Sequence, residues 1–279
     1  MHITFDTELD LQYVYKLLSN SKNRSFKLKI KTDHTLFIDL AKSDEECIRT
    51  YIIPSLTQFV LKIKEPQYIR YFLSTVFFYE DETEQLQIIE MVQSLVSDDE
   101  ERLHPSLKEG YPREEIIKRA LTMFLTKHVQ FSFEAFLTFR LKDYLIRLQE
   151  YIEVAIDEYK LEQDYQDFIE TLRKYIATKN SENKLIHVVQ EKERFIFYDE
   201  MLNEIEVRVE MEEEFVSNYG FEVDQELIAP LLLLSPASIH LYSAYLDQGI
   251  VQTVVSIFQE RVAIYPYERF HEKYPIDHT

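Results

Sequence analysis

Charged and phenolic side chains recur between residues 140 and 159 at spacings that could support ligand binding. Arg140 is spaced from the apolar residues Phe136 and Leu137 so that a helix would place it on or beside its buried stripe. A partly buried arginine there could clamp a carboxylate or a phosphate with two hydrogen bonds. In the alternative interpretation Arg140 lies at the edge of the stripe and pairs with Asp143 or Glu158.

Carboxylates are the second chemical feature of this region. Asp157 and Glu158 are followed by Glu162 and Asp164, and a carboxylate pair can perform acid–base catalysis when burial separates the two pKa values. Such a run is more often a solvated helix face, so we predict no catalytic residue. The hypothesis that remains is a polar cluster for binding, made of Arg140, Lys142, Asp143, Tyr144, Asp157, Glu158 and Tyr159.

A basic patch is formed by Lys27, Lys29 and Lys31, which alternate with apolar residues in a window without acids between Asp10 and Asp33. A strand would display all three ammonium groups on one face. Lysines of this kind keep an outer face solvated and discourage pairing at a sheet edge; the alternative is contact with an anion or a nucleic acid. The net charge of −19 repels a phosphate backbone, so nucleic-acid binding is disfavoured.

Glycine and cysteine usage exclude several function classes. The three glycines, Gly110, Gly220 and Gly249, are too far apart to build a phosphate-binding loop or a nucleophile elbow. Cys47 is the single cysteine and cannot form a zinc ribbon or a redox pair. We therefore predict no cofactor and no metal site, and we lean towards a non-enzymatic protein.

The chain is also predicted to be soluble and cytoplasmic. Its start lacks the basic segment and apolar run of a signal peptide. Its longest apolar runs are far shorter than the roughly 18 residues that a membrane span needs, so no contact with a membrane is expected.

The elements that position these residues follow from changes in hydrophobic period along the chain. Strand patterns at 2–5, 26–31 and 35–40, with a helix after the first, predict a β-α-β-β unit within residues 1–45. A period of 3.6 predicts a helical region over residues 46–180. Its periodicity from 132 to 178 is longer than one ordinary helix, and a slip in the apolar phase predicts a break at 157–162.

Residues 181–279 return to a strand period. Strand patterns at 185–189, 195–198 and 205–209 predict a meander, and a helix over 225–234 is expected to break or kink at Pro230. The last predicted unit is a β-α-β over 238–265 with parallel strands. The predicted fold class is therefore α+β. Because two hairpin strands are not stable alone, we expect the terminal regions to share a sheet or to pack together.

Parts of this pattern resemble the YtxC-like family of spore-forming bacteria. The runs that carry the resemblance are Phe139 to Tyr144, Ala155 to Tyr159, Tyr165 to Ile169, Ile186 to Val188, and Tyr198 with Asp199. They lie in the C-terminal two thirds of the chain. The resemblance implies a sporulation-related setting and carries no assigned chemistry.

Three functional hypotheses follow. The first is a partner-binding or regulatory protein that uses its helical region to bind a protein partner or another copy of itself, because amphipathic helices and tyrosines are favoured at interfaces. The second is a small-ligand binder or enzyme centred on Arg140 and the Asp157 and Glu158 pair. The third is weak nucleic-acid binding through the basic patch. The sequence leaves the oligomeric state open.

Overall fold

The computed structural model describes residues 1–21, 26–31, 34–40, 44–97, 105–107, 110–179, 185–192, 194–208, 223–245 and 249–274. The chain divides into two compact units, Met1–Lys160 and Leu161–Thr279. Helices accompany one mixed sheet of four strands and one of five strands, so the predicted α+β class is confirmed. The division into three regions stays a prediction about which parts fold independently.

The four-stranded sheet belongs to the first unit. Its strands are β1 (His2–Thr4), β2 (Phe26–Lys31), β3 (Thr35–Leu40) and β4 (Gln130–Ser132), in the order β2-β3-β1-β4. The predicted hairpin is confirmed, with Phe26 opposite Leu40 and Lys31 opposite Thr35. β1 pairs antiparallel with β3 and parallel with β4.

We expected the terminal regions to share a sheet or to pack together. A shared sheet is wrong, because the two sheets have no strand in common, while packing of the terminal regions stays a prediction. Of the N-terminal strands, β1 instead pairs with β4, which comes from the predicted helical region. Buried Ile3, Leu36 and Ile38 cover one face of this sheet with apolar groups. They belong to the same core as the helices of the unit, which supply the second layer that a small sheet needs.

The helices of the first unit begin with α1 (Glu8–Ser19), whose N-terminus is capped by the Thr7 side chain. A long helical run follows as α2 (Asp44–Cys47), α3 (Ile53–Phe59) and α4 (Glu65–Thr75), with π-helical segments at Ile48–Ile52 and Val60–Lys64 between them. Beyond these lie α5 (Glu82–Ser97), a 3₁₀ turn (Pro105–Leu107), α6 (Arg113–Phe124), α7 (Phe133–Arg140) and α8 (Lys142–Thr178). Phe5, Phe59 and Phe133 pack against one another in the core, with ring centroids 5.1 to 5.7 Å apart.

The predicted helix break at 157–162 is wrong. α8 is continuous from Lys142 to Thr178, and the interruption lies at Leu141, between α7 and α8. Residues up to Tyr159 belong to the core of the first unit, whereas those from Phe168 onward belong to another core. The slip in apolar phase therefore marks a change in the core that the helix faces, which a continuous helix can accommodate.

The second unit contains the five-stranded sheet. Its strands are β5 (Leu185–Glu191), β6 (Arg194–Tyr198), β7 (Glu204–Ile205), β8 (Ser238–Ser243) and β9 (Val262–Pro266), in the order β7-β6-β5-β8-β9. β5, β6 and β7 form the predicted antiparallel meander. The strand predicted over 205–209 is too long, because β7 ends at Ile205; residue 209 lies outside the described residues. β8, α10 (Gly249–Phe258), a 3₁₀ turn (Gln259–Arg261) and β9 form the predicted β-α-β unit, with β5, β8 and β9 parallel.

Two short helices complete this unit, α9 (Ile228–Leu234) and α11 (Glu268–Lys273). The predicted break or kink at Pro230 is wrong, because α9 begins only at Ile228 and Pro230 lies in its first turn, where a missing backbone N–H costs nothing. The carboxylate of Asp224 accepts hydrogen bonds from the backbone of Leu227 at 2.6 Å and Ile228 at 3.2 Å. This carboxylate therefore fixes where the helix starts.

Candidate functional site

The first part of the predicted polar cluster lies at the junction of α7 and α8. Arg140, Lys142 and Asp143 are all exposed. The guanidinium carbon of Arg140 lies 5.7 Å from the centre of the Phe124 ring, and within the described residues it forms no ion pair with Asp143 or Glu158. The structure therefore brings three charged groups together on the surface and leaves Arg140 outside the buried stripe.

The remaining cluster residues are separated from this junction. Asp157 and Glu158 are exposed on α8, and Glu158 lies about 24 Å along the helix axis from Lys142 at 1.5 Å per residue. Tyr159 is buried and donates a hydrogen bond to Glu84 at 3.3 Å. The two halves of the cluster do not share one site, and a binding role for either half stays a prediction.

Tyr144, the fully buried member of the cluster, leads to a charged network that sequence reasoning missed. Its hydroxyl donates to Glu65 Oε2 at 2.7 Å. Arg113 Nη1 lies 2.6 Å and 2.5 Å from the two oxygens of the same carboxylate. Burial raises the pKa of Glu65 although Arg113 and Tyr144 both act to lower it. Burial and the nearby Glu65 also raise the pKa of Tyr144 well above its ordinary value.

Lys64, the neighbour of Glu65, forms a second buried ion pair. Its ammonium group donates to Asp10 Oδ2 at 2.8 Å, and the two side chains are 9% and 6% exposed. Lys64 also lies 3.9 Å from Glu134, which accepts a hydrogen bond from the Tyr68 hydroxyl at 3.0 Å. Burial, followed by Glu134, raises the pKa of Tyr68. The preceding π-helical segment Val60–Lys64 is of a kind often found at functional sites.

A groove of about 450 Å³ lies beside this network, between α4 and the α7–α8 segment. We call it the α4–α7 groove, and its lining residues are Lys64, Gln67, Tyr68, Tyr71, Phe72, Glu134, Thr138 and Leu145. Tyr71 is 56% exposed, and Phe139 and Ile146, which follow two of the lining residues in sequence, are 78% and 45% exposed. The spacing of the aromatic residues of α4 can be read from the sequence. The sequence does not show which residues of α7 lie across the groove from them.

The basic patch lies on β2, at the edge of the four-stranded sheet. Its three lysines are exposed. Lys27 is directly opposite Asp39, and the Lys31 ammonium lies 5.1 Å from the centre of the Phe37 ring. Burial and the nearby Lys31 lower the pKa of His2. These features fit the solvated edge strand of the sequence analysis, while nucleic-acid binding stays a prediction.

Two further properties concern the described part of the chain. None of the helices there is both long enough and apolar enough to span a membrane. No group of three or more His, Cys, Asp or Glu side chains in those residues could hold a metal ion.

Comparisons with known proteins give one family and one curated relative. The model of the YtxC-like family matches residues 50–263. The chain is 28% identical over 280 aligned positions to the uncharacterized protein YtxC of Bacillus subtilis (strain 168), and the match covers 100% of this chain and 99% of that protein. No solved structure matches the chain.

Proposed function

The chain belongs to the YtxC-like family, and we propose that it is a non-enzymatic protein that binds another protein through the α4–α7 groove. The proposed setting is the cytoplasm of a sporulating cell, as the family resemblance implies. The observation that carries the proposal is the aromatic side chain of Tyr71, which is 56% exposed and lines the groove together with Tyr68 and Phe72. Aromatic side chains of this kind are enriched where proteins bind one another.

The α4–α7 groove is preorganised for binding by the buried charged network. Lys64 and Glu65, at the start of α4, are tied to Asp10 of α1, Arg113 of α6 and Tyr144 of α8. Binding to a preformed surface loses less conformational entropy than binding to a mobile one. The buried network therefore supports docking by fixing α4 against its neighbours.

The same contacts argue against an acid–base role for the buried carboxylate. Glu65 accepts hydrogen bonds from both Arg113 and Tyr144, and its side chain is 8% exposed. A carboxylate engaged in this way has little access to a substrate. We therefore assign the network to the support of the groove.

The partner that fits best is an amphipathic helix with a basic polar face. Such a helix lays its apolar side chains into an apolar groove. The net charge of −19 attracts a basic partner. Glu134, which lines the groove and has a side chain 41% exposed, offers a carboxylate there.

The test compares proteins that co-purify with three forms of the full-length chain from sporulating cells. The forms are wild type, the groove variant Tyr71→Asp/Thr138→Asp, whose two positions are exposed and line the groove, and the control Leu9→Asp/Met201→Asp. The control residues are 81% and 78% exposed and lie outside the groove, and the charge change is the same. We expect one protein to be retained by wild type and control, and its purified form to bind the groove variant at least about tenfold more weakly.

Two results would overturn the proposal. One is that no co-purified protein distinguishes the groove variant from the control. The other is that wild type self-associates in sedimentation velocity while the groove variant does not, since the occupant would then be a second copy of the chain.

A further inference from the structure

A cleft of about 970 Å³ opens at one end of the five-stranded sheet in the second unit. We call it the carboxyl-edge cleft. Its lining residues are Gln190, Glu191, Lys192, Arg194, Ile196, Ala244, Tyr245 and Tyr267. They come from the ends of β5, β8 and β9 and from the start of β6, so the cleft is built by the sheet itself.

The sheet topology explains why the cleft lies there. β5 and β8 are neighbouring parallel strands and end at the same edge. The chain leaves β5 for β6 on one side and leaves β8 for β9 on the other side. The two connections diverge at this edge, and the residues that follow the two strand ends line one cleft.

The floor of the cleft is fixed by buried hydrogen bonds. The Ser243 hydroxyl donates to Gln190 Oε1 at 2.5 Å, and both residues are buried. The backbone N–H of Tyr245 donates to the Ser243 oxygen at 2.8 Å. These bonds tie the end of β8 to β5 and hold Tyr245 at the mouth of the cleft.

The walls combine two cations, the carboxylate of Glu191 and two phenol rings. Lys192 and Arg194 are exposed, and within the described residues neither has a carboxylate oxygen within 4 Å. This holds although Glu191 is opposite Arg194 in the strand register. Tyr245 is 59% exposed. Burial and then Glu191 raise the pKa of Tyr267, so its hydroxyl stays protonated and can donate a hydrogen bond.

From this arrangement we propose that the carboxyl-edge cleft binds a small planar anion, an aromatic ring that carries a phosphate or a carboxylate. Lys192 and Arg194 bind the anionic group, for which arginine offers two parallel donors. Tyr245 and Tyr267 contact the ring. The volume suits such a molecule, since ligand sites commonly measure about 300–1,000 Å³. The site is separate from the α4–α7 groove, so its failure would leave the proposed function untouched.

Isothermal titration of the full chain in a phosphate-free buffer tests this assignment with three probes. AMP carries a ring and a phosphate, salicylate carries a ring and a carboxylate, and adenosine carries a ring without a negative charge. We expect AMP or salicylate to bind with a dissociation constant below about 1 mM and adenosine to bind at least tenfold more weakly. The anion that binds more tightly shows whether the cleft prefers a phosphate or a carboxylate.

The cleft variant Lys192→Gln/Arg194→Gln removes both cations. Its control is Arg70→Gln/Lys160→Gln, which makes the same charge change at exposed residues of the first unit. We expect the cleft variant to lose at least about tenfold in affinity and the control to lose less than about twofold. If circular dichroism finds the cleft variant unfolded, Arg194→Gln alone is titrated and is expected to lose at least about threefold.

Four results would overturn the proposal. The first is that neither anion binds with a dissociation constant below about 1 mM, and the second is that adenosine binds as tightly as the anions. The third is that the variant without the cations binds the anion as tightly as wild type. The fourth is that the control loses as much affinity as that variant.

Discussion

Replacing Arg113 by methionine tests the buried network behind the α4–α7 groove. Arg113 forms an ion pair with Glu65, whose side chain is only 8% exposed. Methionine keeps an apolar stem of similar length and removes the charge together with its hydrogen bonds. The change therefore leaves a buried carboxylate whose described partner is the Tyr144 hydroxyl alone.

The magnitude follows from the burial of the two partners. Removing one partner of a buried ion pair costs about 3–5 kcal/mol of unfolding free energy. The Arg113 side chain is 20% exposed and Tyr144 still donates to Glu65, so we expect a value near the lower limit, about 3 kcal/mol. The double variant Glu65→Met/Arg113→Met removes both charges and leaves the Tyr144 hydroxyl without its acceptor. We expect it to cost only about 1–2 kcal/mol.

Urea denaturation of the full chain, followed by circular dichroism and tyrosine fluorescence, measures these differences. The control is Arg70→Met, since Arg70 is exposed on α4, and it should change the unfolding free energy by less than about 0.5 kcal/mol. The reasoning would be refuted if Arg113→Met cost less than about 1 kcal/mol, or if the double variant lost as much as the two single variants together.

The remaining predictions concern pH and a helix start. Because the folded-state pKa of Glu65 is raised above the ordinary value of 4.5, its contribution to stability is complete below that value and is lost as pH rises through the folded pKa. The unfolding free energy of wild type minus that of Glu65→Gln should therefore fall as pH increases above 4.5 in urea titrations; a rise would contradict the direction. Asp224→Ala removes the acceptor for the backbone of Leu227 and Ile228 and should cost about 1–2 kcal/mol in thermal denaturation. Asp224→Asn keeps an acceptor and should cost less, and equal losses would contradict the capping role.

Local patterning predicted most of the secondary structure. The alternation of lysines with apolar residues from Phe26 to Lys31 predicted the strand β2, and the pattern at 35–40 predicted its hairpin with β3. The final β-α-β was predicted because a strand, a helix and a strand of sufficient length follow one another without interruption. In both cases the information lies in neighbouring residues, where a period of 2 or 3.6 is directly visible.

Elements that depend on distant partners were missed. β4 is three residues long and lies between helices, and its pairing with β1 joins residues such as Ile3 and Phe131. Nothing in its local sequence distinguishes it from a loop. The continuity of α8 was missed for a related reason, since the phase slip reflects two separate cores.

The candidate sites also differ in whether local sequence or distant partners define them. The sequence identified the lysines of β2 as an exposed row because alternation along a strand sets which face each side chain occupies. It gave no reason to select Lys64 and Glu65, two adjacent charged residues of an ordinary kind. Their partners Asp10, Arg113 and Tyr144 lie 54, 48 and 79 positions away, and only tertiary packing brings them together.

By itself the sequence determined the fold class, the order of most elements and the exclusion of glycine-built phosphate loops, because these depend on composition and on short-range periodicity. The tertiary structure alone decided which charges are buried, where α4 meets α7, and which residues near the ends of β5 and β8 line one cleft. The physical reason is that a groove, a cleft or a buried ion pair is a relation between side chains distant in the chain. The free energy of such a relation is set by burial and distance in three dimensions, which no local pattern records.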